Sequence, residues 1–283
     1  MISAKTNINS INAQNSYQVN YRDMSKSLER LATGSRINRS GDDAAGLALS
    51  TGFVSQIFGN QQAINNLNDA AGLVQTADST IRNVTEVLQR MRELSVQASN
   101  DTYSDSDRVL MNNEFKQMEE EINRIISQTK WNKMNLFDAS NASNANGTFI
   151  IQAGADNAQS ITIDIGDFSI ASGHLSKLNG LDITTQSNAN NSLNDIDDAI
   201  QSLSSKQADF GSYQNRIHHA IDSLVEYKFN MVDSNGRVLV DTDYGKAITK
   251  MTKHQIVSQA AVAMAGQANA IASTVSSLLE AYA

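Results

Sequence analysis

From Leu193 onward, apolar side chains recur in alternating steps of three and four, through Ile196, Ile200, Leu203, Phe210, Ile217, Ile221 and Leu224, with Gln207 and Gln214 in two of the places. That spacing is a coiled-coil seam, and a seam needs partner helices. Two earlier stretches supply them. Ile64, Leu67, Ala71 and Val74, then Ala77, Ile81, Val84, Leu88, Met91 and Leu94, repeat the spacing with one slip, and Met111, Phe115, Met118, Ile122 and Ile125 repeat it again. Three such helices can bury their stripes only against one another, and at about 1.5 Å per residue the Ile64 to Leu94 stretch alone spans roughly 45 Å. Both ends of the proline-free chain read as helix, so its two halves must pair. The predicted fold is mainly α: a long helical bundle and coiled-coil rod built from both halves, with a small β-hairpin in the middle.

Strand-like alternation is confined to that middle. Ile161, Ile163 and Ile165 alternate with polar residues, residues 147–152 form a plausible pairing strand, and the flanks are rich in Ser and Asn. The expected organisation is a terminal coiled-coil domain from residues 1–43 and 240–283, a helical bundle from 44–139 and 190–239, and a short variable β/loop region at 140–189. That last region is expected to be exposed and tolerant of change. Before the last helix, Asn235-Gly236 and a β-branched run signal a kinked or hairpin-like connection.

Composition agrees with thin bundles. Across 283 residues, 40% are hydrophobic but only 6% aromatic, which is little material for a wide core. A net charge of −8 and a pI near 5.0 argue against nucleic acid or an anionic membrane as partner, since either calls for a clustered basic face. No cysteine is present, so disulfides and thiolate metal sites are excluded. No apolar run is long enough for a membrane span, and the first twenty residues lack a basic start followed by an apolar core. Export without a cleaved signal peptide is the expectation.

The two ends pose the functional question. Ile2, Ile8, Ile11, Val19, Met24 and Leu28 are too sparse to hold an isolated helix, so the first thirty residues should order only against a partner. At the other end Val257, Ala260, Met264, Ala268, Ile271, Val275, Leu278 and Tyr282 form a narrow stripe in a helix without charge from Gln255 to Leu279. Such a stripe facing water is an unfinished interface. Between Leu31 and Ser50 the chain reads LATGSRINRSGDDAAGLALS, where Gly34 and Gly41 punctuate the helical pattern and Asp42 and Asp43 can cap and charge the next helix.

That segment closely resembles the N-terminal signature of bacterial flagellins, RINRSGDDAAGLALS at 36–50 above all. The resemblance continues in LQRMRELSVQASN at 88–100, GSYQNRI at 211–217, DTDYGKAI at 241–248 and SQAAVAMAGQAN at 258–269. It implies a short filament subunit of the bacterial flagellum, lacking large outer domains, that self-assembles into a helical polymer for swimming. It implies a filament-core interface carried by Ile8, Ile11, Val257, Met264, Ile271, Val275 and Leu278. It further implies export through the flagellar type III apparatus with an export chaperone, contact with hook-associated junction and cap proteins, and an extracellular location. The segment around LQRMREL matches the one that host Toll-like receptors recognise, which puts Arg90, Leu94 and Glu114 in a receptor patch. Arg90 and Leu94, one turn apart, should share a face. The alternatives are a hook–filament junction protein and a non-polymerising coiled-coil binding module.

Catalytic chemistry is not visible. His174, His218, His219 and His254 show no HExxH or other ligand spacing, and an adjacent pair on a helix points in different directions. Asp195, Asp197 and Asp198, like Glu119 to Glu121, read as solvated helix charge, with no calcium-loop spacing. GSRINRSG lacks the end of a phosphate loop. The expectation is a protein with no catalysis, no cofactor and no metal.

Overall fold

The computed structural model describes residues 6–137, 147–171 and 173–280. Their α-helices are α1 (Ile8–Thr33), α2 (Ala44–Ala98), α3 (Asp105–Gln128), α4 (Gln186–Asp233) and α5 (Tyr244–Glu280). Two short antiparallel hairpins join them: β1 (Lys130–Trp131) with β2 (Met134–Asn135), and β3 (Thr148–Gln152) with β4 (Ser160–Asp164). The fold is mainly α, as the periodicity predicts. The chain divides into two compact units, Met1–Ser55 with Phe229–Ala283, and Gln56–Lys228.

In the second unit the predicted seams meet. Leu67, Val74, Ile81, Leu88, Met91 and Leu94 of α2 are buried with Phe115, Ile122 and Ile126 of α3 and Ile196, Leu203, Phe210 and Ile217 of α4. On α3 the expected Ile125 is half-buried and Ile126 takes the core place, because a straight helix drifts away from a strict seven-residue repeat. The α2–α3 turn is closed from within. Arg108, almost fully buried, donates to the carbonyls of Ala98 at 2.9 Å and Asn100 at 3.1 Å, satisfying acceptors that the end of α2 leaves open. Ser104 and Asp107 form a reciprocal capping box at the start of α3.

The middle of the chain is less peripheral than its composition suggests. β3 and β4 pair where the alternation places them, with Phe149 opposite Ile163 and Ile151 opposite Ile161. Yet Phe137, Ile163, Ile165, Phe168, Ile170, Leu175, Leu178 and Ile183 all enter the same core as the helices. Phe137 and Phe168 pack edge to face with ring centres 5.2 Å apart. Lys206 on α4 holds Asp164 at 2.9 Å, and Lys177 pairs with Asp198. The described part of 140–189 is thus a second layer of the bundle core rather than a dispensable loop. The first hairpin carries Trp131 onto α2 at Gly72, where a Cβ would stand 2.9 Å from the indole; only glycine admits that approach.

In the first unit α1 and α5 run antiparallel along each other. Asn7 caps α1, accepting from the Ser10 amide at 3.1 Å, while its side-chain amide donates to the Ala268 carbonyl of α5 at 2.9 Å. Thirteen residues on, Asn20 Oδ1 lies 2.9 Å from His254 Nδ1. Within the single chain, α1 packs along the far end of its own sequence. Gly34 ends α1 in the left-handed conformation at φ 71°, returning its N–H to Arg30. Asp43 opens α2 by accepting from Gly46 at 2.8 Å, as predicted, whereas Asp42 turns back and accepts from the backbone amides of Asn38 and Arg39, so it ties down the preceding loop instead of capping the helix.

The Asn235-Gly236 connection differs from expectation. Residues Ser234–Val240 continue α4 as a π-helix, closed by Asp241 N–H to the Gly236 carbonyl at 2.7 Å, and Arg237 pairs with Asp233 one turn back at 2.6 Å. A hairpin would need a left-handed Gly236, whose φ is not positive here. Just past the π-helix, Asp241 makes an isolated antiparallel bridge with Ser35. Wider i→i+5 bonds satisfy the backbone instead.

Candidate assembly surface

The seam between α1 and α5 is lined by small side chains. Ser10, Ser27, Ala247, Ser258 and Ala261 are buried there, which lets the two backbones approach closely. The large apolar residues look elsewhere. Ile8 is 57% exposed, Met264 64% and Ile271 52%, and Ile11 and Val257 are also exposed. Val275 is half-buried, and the Leu278 side chain lies outside those described. The predicted stripes do not meet each other inside the single chain; most of their large members stay uncovered.

Further residues join them. Ile256, Val262 and Ile248 on α5, and Tyr17, Val19, Tyr21 and Leu28 on α1, are exposed too. A single narrow stripe could not reveal them, but the distribution round α5 could: its apolar residues occupy every side, and a helix apolar all round is a buried helix. Here α1 covers one side. A shallow groove of about 410 Å³ runs between the two, floored by Ala13, Ala260 and Ala268 and edged by Val257, Met264 and Ile271. No charge interrupts α5 from Gln255 to Leu279, so nothing repels an apolar partner.

The second predicted patch lies on the bundle. Arg90 of α2, half-exposed, reaches Glu93 at 2.8 Å and Glu114 of α3 at 3.1 Å. The hydrogen bond with Glu93, then that with Glu114, holds the guanidinium above its ordinary pKa. Leu94 does not share that surface. It is 2% exposed and belongs to the core, so the expected common face is corrected: the turn of helix that sets Arg90 outward sets Leu94 inward. What flanks Arg90 and Glu114 is a groove with Val87 and Met118 between Glu86, Gln117 and Glu121. Nearby, Arg92 bridges to Asp197 of α4 with both carboxylate oxygens, 2.6 Å at the shorter.

The remaining titratable residues take structural places. His218 and His219 are exposed, His174 lies against Phe168 with Ser202 Oγ 3.2 Å from Nδ1, and Glu119 and Glu121 pair with Lys116 and Arg124. Among the described residues no three His, Asp or Glu side chains gather in a way that could hold a metal ion, and no helix is long and apolar enough to cross a membrane.

Comparison with known proteins places these surfaces in context. The family description Bacterial flagellin N-terminal helical region matches residues 4–142, and Bacterial flagellin C-terminal helical region matches residues 193–279. A flagellin of Halalkalibacterium halodurans is 36% identical over 93% of this chain and 94% of its own length. The flagellar filament 30.7 kDa core protein of Treponema maltophilum is 34% identical over 96% and 98%. Among solved structures, the crystal structure of Bacillus cereus flagellin superposes with a TM-score of 0.50 at 26% identity, covering 56% of this chain and 88% of its own.

Proposed function

The chain belongs to the bacterial flagellin family, and from that premise we propose that the uncovered faces of α1 and α5 are the contacts by which it polymerises. The protein is a structural subunit that self-assembles into the helical flagellar filament, outside the cell, for motility. Similarity to filament subunits along nearly the whole chain disfavours both the junction protein and the non-polymerising binding module.

One observation carries the interface. Helix α5 is apolar on every side, uncharged over 25 residues, and covered by α1 on one side alone. Ile8, Ile11, Val257, Met264, Ile271, Val275 and Leu278 supply the buried contacts in the polymer, where helices of neighbouring subunits complete the packing that α1 begins. Head-to-tail contacts of this kind do not close into a ring; they propagate a helical lattice. The terminal domain, 1–43 with 240–283, forms the filament core, the bundle at 44–139 and 190–239 the next shell, and 140–189 the outer side. The subunit performs no catalysis and leaves the cell through the flagellar type III apparatus, without a cleaved signal, with an export chaperone, to meet hook-associated junction and cap proteins. The free subunit presents Arg90 and Glu114 to a host Toll-like receptor, with Leu94 acting from beneath by holding α2 in place.

The test is polymerisation of Ile11→Asp and Ile271→Asp chains. Each places an unpaired charge in an apolar contact, which is strongly unfavourable. Seeded solutions should yield no tubes under the microscope, while the bundle melts as in the parent. Normal filaments from either variant would remove its residue from the interface.

A further inference from the structure

Met264 is 64% exposed in the single chain. Among the described residues the other methionines are better covered: Met91, Met111 and Met231 are buried, Met24, Met118 and Met251 half-buried, and Met134, on the bundle hairpin, is 37% exposed. Two features make the Met264 thioether unusually open. Its neighbours one turn away, Ala260 and Ala268, are too short to shield it, and it stands on the edge of the α1–α5 groove. A thioether this accessible reacts readily with a hydroperoxide.

We propose that Met264 is a peroxide-sensitive modification site that decides whether a free subunit can join the filament. This rests on the reading of α5 as an assembly contact. The sulfur lone pair attacks one oxygen of hydrogen peroxide, the S–O bond forms as the O–O bond breaks, and the departing hydroxide takes the proton from the new S–OH group, leaving the sulfoxide and one water. Sulfur is oxidised by two electrons and the peroxide is reduced. The product replaces an apolar, adaptable side chain with a polar, chiral sulfoxide. In an apolar contact that new oxygen has no donor, and burying an unpartnered polar group opposes assembly. Assembled subunits are protected because the contact covers the sulfur, so the lesion sorts subunits before they are incorporated.

The experiment treats the full chain with hydrogen peroxide as free subunit and as filament, locates added oxygen by peptide mass mapping, and counts filaments after seeding. Free wild-type subunit should gain oxygen at Met264 and lose at least tenfold in filament yield. The same dose should leave Met264 in finished filaments unmodified. Met264→Leu, which keeps the apolar bulk without a thioether, should polymerise after treatment as before it, and enzymatic reduction of the wild-type sulfoxide should restore polymerisation. The proposal is overturned by Met264 staying unmodified while Met134 is oxidised, by Met264→Leu losing yield as wild type does, or by a repaired subunit that still fails. Untreated Met264→Asp separates the two claims: if it polymerises normally the interface reading itself is wrong, whereas if it fails while Met264→Leu remains peroxide-sensitive only the oxidation site is lost.

Discussion

Leu94 and Arg90 sit one turn apart on α2, yet one is sealed in the core and the other bridges carboxylates in water. Their substitution should therefore separate stability from recognition. Leu94→Ala should lower the unfolding free energy by about 2–5 kcal/mol, whereas Arg90→Ala, losing only exposed ion pairs, should leave stability nearly unchanged. Denaturant titration of both variants checks this, and a receptor-activation assay on free subunit should reverse the order, with Arg90→Ala the more damaging to signal. Asp182 gives the pH counterpart. It accepts from Asn188 and Thr184 at the start of α4, and these bonds, that of Asn188 foremost, hold its pKa below the usual carboxylate value. A depressed folded-state pKa means that its stabilisation is fully present above the unfolded value of about 3.9 and disappears as pH falls below it through the folded value. Thermal melts should show a steeper loss below that point in wild type than in Asp182→Asn, which should be less stable at neutral pH and closer to wild type in acid.

The long elements were legible because their period was. Leu67 to Leu94, Phe115 to Ile122 and Ile196 to Ile217 bury most of the large side chains that steps of three and four select, with Met118 and Ile200 half-buried at the edge of the core. The two strands β3 and β4 were legible from alternation, though their register was not. The segment after β4 was not legible, since Phe168, Ile170, Leu175, Leu178 and Ile183 enter the core from turns and a short 3₁₀ stretch, Ser176–Leu178, with no periodicity to betray them. Their burial depends on a surface that exists only once the helices have packed. Removing residues 169–177 takes Ile170 and Leu175 out of that core, so the deletion should lower the bundle's melting temperature markedly, and Phe168→Ala alone should cost about 3–5 kcal/mol. A deletion variant that melts like the parent would show this layer to be energetically idle. The terminal helices were legible as helices and as an unfinished surface, but the direction of their large side chains was not. Small residues at the α1–α5 seam let the two helices close on each other and leave Ile8, Met264 and Ile271 outward.

At the scale of the molecule, the two units should respond differently to polymerisation. The bundle has its core already, while in the proposed assembly α1 and α5 gain theirs from neighbours, so hydrogen exchange should be unchanged in 64–94 and 193–224 but slow sharply in 8–33 and 244–277 when filaments form. Equal protection of the terminal helices in free subunit and filament would contradict the mechanism. The pairing of Asn7 with Ala268 has one more consequence. Those residues stand 261 positions apart, and every contact of α1 with α5 waits on chain that the ribosome makes last. The first helix is therefore synthesised without its mate and must remain unpaired until translation is nearly over. Sequence order alone acts as a timer, withholding the sticky end unit from the growing chain until there is a whole subunit to carry it.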